Sequence, residues 1–432
     1  MLVKVLRLKD ARELALADRW PSRRGLDPGL LDYVEKIIRE VRERGDKALI
    51  DLTEKFDGTR LTVERLRVSR EEIKDAYSIV GEEQISAIKL ARDRVERFER
   101  SILERARFEY GDELGVRIRR EYRPIRSVGC YVPGGIAAYP STLIMAAVPA
   151  RVAGVRRVVV CSPPRRDGSV NPLILVAADI CGIEELYRVG GIQAIAALAY
   201  GTETIKPVDK IVGPGNRYVL AAKSIISRDV PIDHPAGPSE IMVLADDSAN
   251  PHYIALDMIS QAEHDPNSTS ILVTTSRRIA ELVLEKLIHL IERAPSGDRI
   301  KAALERNGLI LVADSMDEAI EFANDFAPEH LEIIAEKPYE ISERINSAGL
   351  ILIGAYTPVS ISDYCLGTNH ILPTGGFSHV YSSLSALNFI KFVNVAECPK
   401  GALMELSGCA RTLAKSEGML NHASAIDGRL KA

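Results

Sequence analysis

No two cysteines in this sequence stand at C-x-x-C spacing, and that absence sets a first bound on what the chain can be. Its six cysteines are scattered at 130, 161, 181, 365, 398 and 409, which argues against a thiolate zinc site or a disulfide framework. A cytoplasmic protein with reduced thiols is expected. Neither charge is in excess: 56 Lys and Arg against 60 Asp and Glu give a formal net charge of -4 and a pI near 6.1. Nothing there points to nucleic acid or to an anionic membrane. The longest apolar runs fall well short of a bilayer span, and the opening MLVKVLRLKDARE has no long apolar core of the secretory kind. The dinucleotide fingerprint G-x-G-x-x-G is missing. Tandem repeats and low-complexity stretches are missing too. With only one Trp and eight His, each histidine can be weighed singly.

What is present is ordinary globular material: 432 residues, 46% hydrophobic and 27% charged, enough for two or more lobes. Residues 1–25 read as an arm ending at Pro21-Ser22-Arg23-Arg24. Leu30, Leu31, Val34, Ile37, Ile38 and Val41 recur at helical spacing, and residues 71–106 form a second helical stretch whose dense charge is a solvated face. After Arg123-Pro124 the texture changes to repeated strand–turn–helix units, which imply a parallel sheet in an α/β lobe over roughly 128–236. A second α/β series follows from Glu240 to Ile353. Beyond about residue 380 the strands are expected to stop, leaving 401–428 as a helical tail with one weakly buried face that docks on something.

Several clusters carry chemistry. The stretch 356–376, YTPVSISDYCLGTNHILPTGG, follows the buried apolar run 350–354 and breaks into loop residues. It holds Asp363 and His370, a carboxylate and an imidazole suited to metal ligation or proton transfer; read singly, they are an Asx-turn and a surface histidine. Gln261 and His264 close a helix three residues apart and share a face, which serves a metal or simply caps the helix. Glu329 and His330 are adjacent; in the turn that Pro328 suggests, both reach one cavity and act as base and acid in successive steps. Glu417 and His422 sit in the tail. Gly134-Gly135 and Gly213-Pro214-Gly215-Asn216 each end a strand, where open α/β sheets take ligands, although spacing alone fits two structural turns equally well. Cys130 and Cys365 lie near these loops, but neither has an obvious base at short range. His234, His252, His289 and His379 look structural.

Long motifs then carry a resemblance. YVPGGIAAYPSTLIM (131–145), GGIQAIAALAYGT (190–202), VDKIVGPGNRYV (208–219), AGPSEIMVLAD (236–246), SQAEHD (260–265), APEHLEI (327–333), GTNHILPTGG (367–376) and SEGMLNHASA (416–425) resemble the histidinol dehydrogenase family, in order and over nearly the whole chain. Departures are small: His234 stands where the family often has Met, and Ser383 and Asn388 depart near residue 385, outside the metal and proton-transfer positions. The resemblance implies two successive hydride transfers, L-histidinol to histidinal to L-histidine, using two NAD and one water. It implies one zinc per subunit on Gln261, His264, Asp363 and His422, with His422 supplied by the partner subunit of a homodimer. It also implies substrate contacts from Ser239, His330, His370 and Glu417, proton transfer by Glu329 and His330, and NAD contacts from Tyr131, Gln193 and Asn216.

The expected architecture is α/β, with two incomplete Rossmann-like parallel-sheet lobes, an N-terminal helical arm (1–25) and a C-terminal helical tail (381–432) that reaches the partner. Residues 26–127 and 237–380 are expected to form the lobe with the metal and catalytic residues, and 128–236 the NAD lobe. Two other classes fit some of the same residues: a zinc hydrolase in which Glu329 activates water, and a non-catalytic small-molecule binding protein. The two glycine turns count against the first and the proton-transfer pair against the second. Reduced-nicotinamide absorbance with histidinol and NAD, before and after a chelator, separates all three.

Overall fold

The computed structural model describes residues 2–11, 27–134 and 138–431; Pro21–Arg24 and Gly135 of the sequence reading lie outside them. Two parallel sheets organise the chain. The larger has six strands in the order β1-β10-β9-β8-β11-β12, namely β1 (Lys4–Arg7), β8 (Glu240–Ala245), β9 (Thr269–Thr274), β10 (Gly308–Val312), β11 (His330–Ile334) and β12 (Leu350–Ile353). All neighbours are parallel, with Glu240 opposite Thr269 and His330 opposite Ile241. The smaller has the order β6-β5-β4-β7, again parallel, from β4 (Ser127–Tyr131), β5 (Arg157–Ser162), β6 (Glu185–Arg188) and β7 (Ile211–Val212). The central strands are mostly apolar and buried because both faces are covered. In β8, Ile241 and Val243 face one core with the helices Pro251–Ala262, Arg277–Ile291 and Gly297–Asn307. Met242 and Leu244 face the opposite core with the helix Met316–Phe326.

Three expectations change. The N-terminal segment is not only an arm: Lys4–Arg7 adds β1 to the edge of the large sheet beside β10. Val3 and Val5 pack into one core of that sheet and Leu6 into the other, while Lys4 and Arg7 are exposed, as suits a short edge strand. The helices of residues 28–104 do not join the lobe of the large sheet. The first two, α1 (Pro28–Arg44) and α2 (Asp46–Asp57), pack with Val159, Ile195, Leu198 and Ala222 on one face of the small sheet. Two later ones, α3 (Arg70–Ile79) and α4 (Glu82–Glu104), pack on its other face with α5 (Pro140–Ala153) and α6 (Pro172–Ile180). The reason is visible in α5, where every residue from Thr142 to Ala150 is buried. A helix apolar all round needs a second layer outside it.

Strands also continue past residue 380. A three-stranded antiparallel sheet joins β13 (Ile390–Glu397) to β3 (Arg117–Pro124) and β2 (Phe108–Gly111). It is solvated on both faces, with Phe108, Tyr110, Phe392, Val393 and Val395 exposed. The tail that follows is helical as expected: Lys400–Ser416 and Leu420–Lys431 pack against each other. They leave Met404, Leu413, Met419 and Leu420 more than half exposed. No described helix is long and apolar enough to cross a membrane.

Candidate active site

A cleft of about 480 Å³ opens where the two parallel sheets meet end to end. One wall is built at the amino ends of β8 and β11, with Ser239, Glu329 and His330. Gln261 and His264 from the end of helix Pro251–Ala262 continue this wall, as does Asp363 from the short helix Val359–Tyr364. The facing wall is the carboxyl end of the small sheet, with Pro133 after β4 and Pro214–Arg217 after β7.

The Glu329–His330 pair is placed by a backbone reversal. Helix Met316–Phe326 ends at Ala327, whose φ is 49°, the one positive-φ non-glycine among the described residues. A left-handed alanine costs roughly 1–2 kcal/mol. It turns the chain sharply into Pro328, so that Glu329 and His330 enter the cleft from the start of the strand. Adjacent residues deep in a strand would face opposite ways. The turn lets both point inward.

Hydrogen bonds then fix which nitrogen does what. His330 Nδ1 lies 3.2 Å from the Glu240 carbonyl. A carbonyl only accepts, so Nδ1 carries a hydrogen in either charge state, and Nε2 is the nitrogen that holds the lone pair when the ring is neutral. Nε2 is buried with no hydrogen-bond partner and stands 3.6 Å from Asp363 Oδ1. Glu329 Oε2 accepts the Glu240 N–H at 2.7 Å and lies 3.7 Å from His330 Nδ1. Burial pushes the Glu329 carboxyl up to about 8, with His330 pulling the other way. Burial also opposes charge on His330, yet Glu329 and Asp363 outweigh it and hold the imidazole up at about 9. Asp363 is buried as well, but His330, His370 and His264 keep it below its ordinary value and therefore ionised. His370 donates through Nδ1 to the Asp363 carbonyl at 2.7 Å, and its Nε2 meets the Thr142 hydroxyl at 3.2 Å. Burial lowers its pKa.

Gln261 is 1% exposed, and its Oε1 finds no donor. A buried amide oxygen without a partner beside an ionised carboxylate is the donor set of a cation rather than of an apolar ligand. Among the described residues, no three His, Cys, Asp or Glu side chains form a ready-made metal cage. The Gln261 oxygen is the group in the cleft wall that such a cation would draw on.

The glycine-turn wall is held from behind. Gly213 has a φ of 118°, and a Cβ there would fall 2.1 Å from the Tyr131 carbonyl oxygen, so only glycine fits. Its N–H donates to Asp233 Oδ2 at 2.8 Å and its carbonyl accepts from Lys223 Nζ at 2.8 Å. Lys223 and Asp233 pair with each other, both buried. Asn216 caps the helix Arg217–Ile226, accepting from the N–H groups of Tyr218 and Val219.

Of the residues singled out in sequence, the cleft gathers Ser239, Gln261, His264, Glu329, His330, Asp363, His370 and Asn216. Asp363 sits on a short helix, not on the loop that its surroundings suggest. Tyr131 and Gln193 lie outside the cleft lining, behind the same carboxyl edge. Tyr131 OH accepts the Gly191 N–H at 3.2 Å, and Gln193 Oε1 is buried without a donor. Glu417 and His422 are exposed on the tail and do not line this chain's cleft. Cys130 is fully buried and its thiol is pushed far up by burial, which removes it as a nucleophile. His379 spans Ser347 Oγ and the Asp325 carbonyl, a structural role. Sequence reasoning missed Thr142, Lys223 and Asp233. Thr142 lies inside a quoted motif, but nothing in its spacing marks it as the partner of His370.

The chain as a whole is similar to known proteins. A family model described as histidinol dehydrogenase matches residues 24–430. The histidinol dehydrogenase of Methanothermobacter thermautotrophicus is 46% identical over 433 residues, covering 100% of both chains. That of Methanocaldococcus jannaschii is 44% identical over 402 residues, covering 93% of each. A crystal structure of histidinol dehydrogenase from Elizabethkingia anophelis matches with a TM-score of 0.93 at 38% identity, covering 99% of this chain and 98% of that one.

Proposed function

We infer the following function for a chain that belongs to the histidinol dehydrogenase family: NAD-dependent oxidation of L-histidinol through L-histidinal to L-histidine, in a homodimer whose two subunits share each site. The observation that carries the reading is the pairing of two unlike walls across one cleft. One wall holds N/O donors and a buried acid–imidazole pair; the other is a glycine turn at the carboxyl edge of a parallel sheet.

Gln261, His264 and Asp363 would hold a zinc ion, with His422 of a second subunit completing the set. The donorless Gln261 oxygen and the ionised Asp363 fit that role. When bound, zinc supplies a redox-inert anchor for the substrate's imidazole and amine, and NAD the hydride acceptor.

The chain's own groups move the protons. His330 Nε2, free of hydrogen in the neutral tautomer, takes the hydroxyl proton in the first oxidation. Glu329, once ionised, takes a proton from the water that attacks the aldehyde in the second. Ser239, His370 and Glu417 contact the amino alcohol, the last from the tail. Tyr131, Gln193 and Asn216 serve the dinucleotide. The exposed apolar residues of the tail favour its docking on a second copy, and a cytoplasmic location accords with six unpaired cysteines.

The test is reduced-nicotinamide absorbance on mixing enzyme, histidinol and NAD, before and after a chelator. A metal-dependent rise is expected; no rise with metal present refutes the reading. A hydrolase would leave the Gly213 wall without a role.

A further inference from the structure

Behind the cleft two carboxyls meet that the reaction above does not use. Asp257 lies one helical turn before Gln261 and shares its face. Glu332 lies two residues after His330 on β11 and points to the same side of the sheet. Asp257 is 8% exposed and Glu332 1%.

Glu332 Oε1 accepts the backbone N–H of Val359 at 2.6 Å. Val359 is the first residue of the short helix that carries Asp363. Glu332 Oε2 is buried with no N–H or hydroxyl donor; the side chain it pairs with is the Asp257 carboxyl. Two carboxylates could not share that space, since each would be a buried anion facing another acceptor. One proton between them satisfies both. Burial agrees, holding Asp257 up at about 6 and Glu332 well above its ordinary value.

We propose that Asp257 and Glu332 form a hydrogen-bonded carboxyl pair that braces the Gln261 helix against the Asp363 helix and so sets the spacing of two cation-holding oxygens. They are positioning residues: neither lines the cleft. The Glu332 side chain joins three elements at once, its own strand, the Asp257 helix and the first N–H of the Asp363 helix. An apolar residue at either position leaves the other carboxyl buried and unpaired. Outer residues that orient ligands typically change metal affinity by about ten- to a hundredfold.

The inference rests on the zinc reading, and the experiment separates the two. The full-length dimer is loaded with zinc, and its release into a chromogenic chelator is timed for the parent, Glu332→Gln and Glu332→Leu. Gln keeps an acceptor for Val359 and donates an amide hydrogen to Asp257, so its release rate should match the parent. Leu does neither, and release should be at least about tenfold faster, with the circular dichroism spectrum unchanged. If the Leu variant does not fold, Asp257→Ala takes its place, since it removes the pair but keeps the Val359 bond. A parent that binds no zinc refutes the zinc reading itself. A parent that binds zinc while the Leu or Ala variant releases it at the parent rate overturns the brace alone. A Gln variant as fast as Leu also overturns it, because the pairing would then not be what matters.

Discussion

His330 Nε2 faces Asp363 Oδ1 across 3.6 Å with no hydrogen-bond donor or acceptor closer. The gap is slightly too long for a hydrogen bond, and Asp363 favours the charged imidazole, so Nε2 offers a lone pair only when the ring is neutral. On the proposed reading, the group that takes the proton and a ligand of the cation are thus electrostatic neighbours, which would tie proton transfer to substrate anchoring.

Chelation should abolish activity and leave the fold intact. The four expected ligands are N and O atoms, three of them on elements already anchored in the large sheet. A site of this kind positions substrate and does not nucleate folding. Activity and circular dichroism after chelation decide the matter. Unfolding would make the metal structural, and full activity without metal would remove it from the reaction.

Glu329→Gln should slow the aldehyde-to-acid step by roughly a hundred- to ten-thousandfold and the alcohol-to-aldehyde step much less. Supplying histidinal directly exposes the defect. Because burial raises the Glu329 carboxyl to about 8, the ionised base accumulates as pH rises. The rate of the second half-reaction should climb through that range in the parent and be flat in the variant. Equal slowing of both half-reactions would show that Glu329 is not specific to the second.

Asp363→Ala and His422→Ala should each be inactive alone and recover activity together. In a mixed dimer one site carries both changes and the other neither. With random reassortment, activity should return to about a quarter of the parent value. No recovery, with exchange confirmed by tagged chains, would put His422 outside the shared site.

Glu99→Gln should alter stability in a pH-dependent way. Glu99 is 1% exposed and accepts the Ala386 N–H at 2.7 Å. Burial raises its carboxyl from 4.5 to about 7. A raised carboxyl favours the fold when protonated, so its contribution is complete below about 4.5 and is lost as pH rises through about 7. Gln keeps the acceptor and cannot ionise. The variant should match the parent near pH 4 and be more stable at pH 8, by up to about 3 kcal/mol. Thermal melts at the two pH values measure this, and a constant difference would show that Glu99 does not titrate in that range.

Elements with periodic apolar residues were legible in sequence: both parallel sheets, their crossover helices and the helical tail. So were residues of unusual chemistry that the cleft gathers, Asp363, His370 and the Glu329–His330 pair. What escaped was pairing between distant segments. Arg117–Pro124 is a strand dense with arginine and solvated on both faces, so it shows no apolar alternation to read. The sheet it joins closes only when residue 390 returns to it. The lobe served by helices 28–104 depends on which apolar surface lacks cover, a property of the folded small sheet. Asp257 and Glu332 are ordinary helix and strand residues until a helix 27 residues beyond Glu332 offers it an N–H.

The cleft's two walls belong to different sheets, and this has a kinetic consequence on the proposed reading. Groups that would grip the amino alcohol sit at the amino edge of β8 and β11, and the turn for the dinucleotide at the carboxyl edge of β4 and β7. Release from one wall breaks none of the contacts of the other. The dwell time of a reactive aldehyde can thus be long while spent dinucleotide leaves and a fresh molecule arrives, so the intermediate need never be free in solution between the two oxidations.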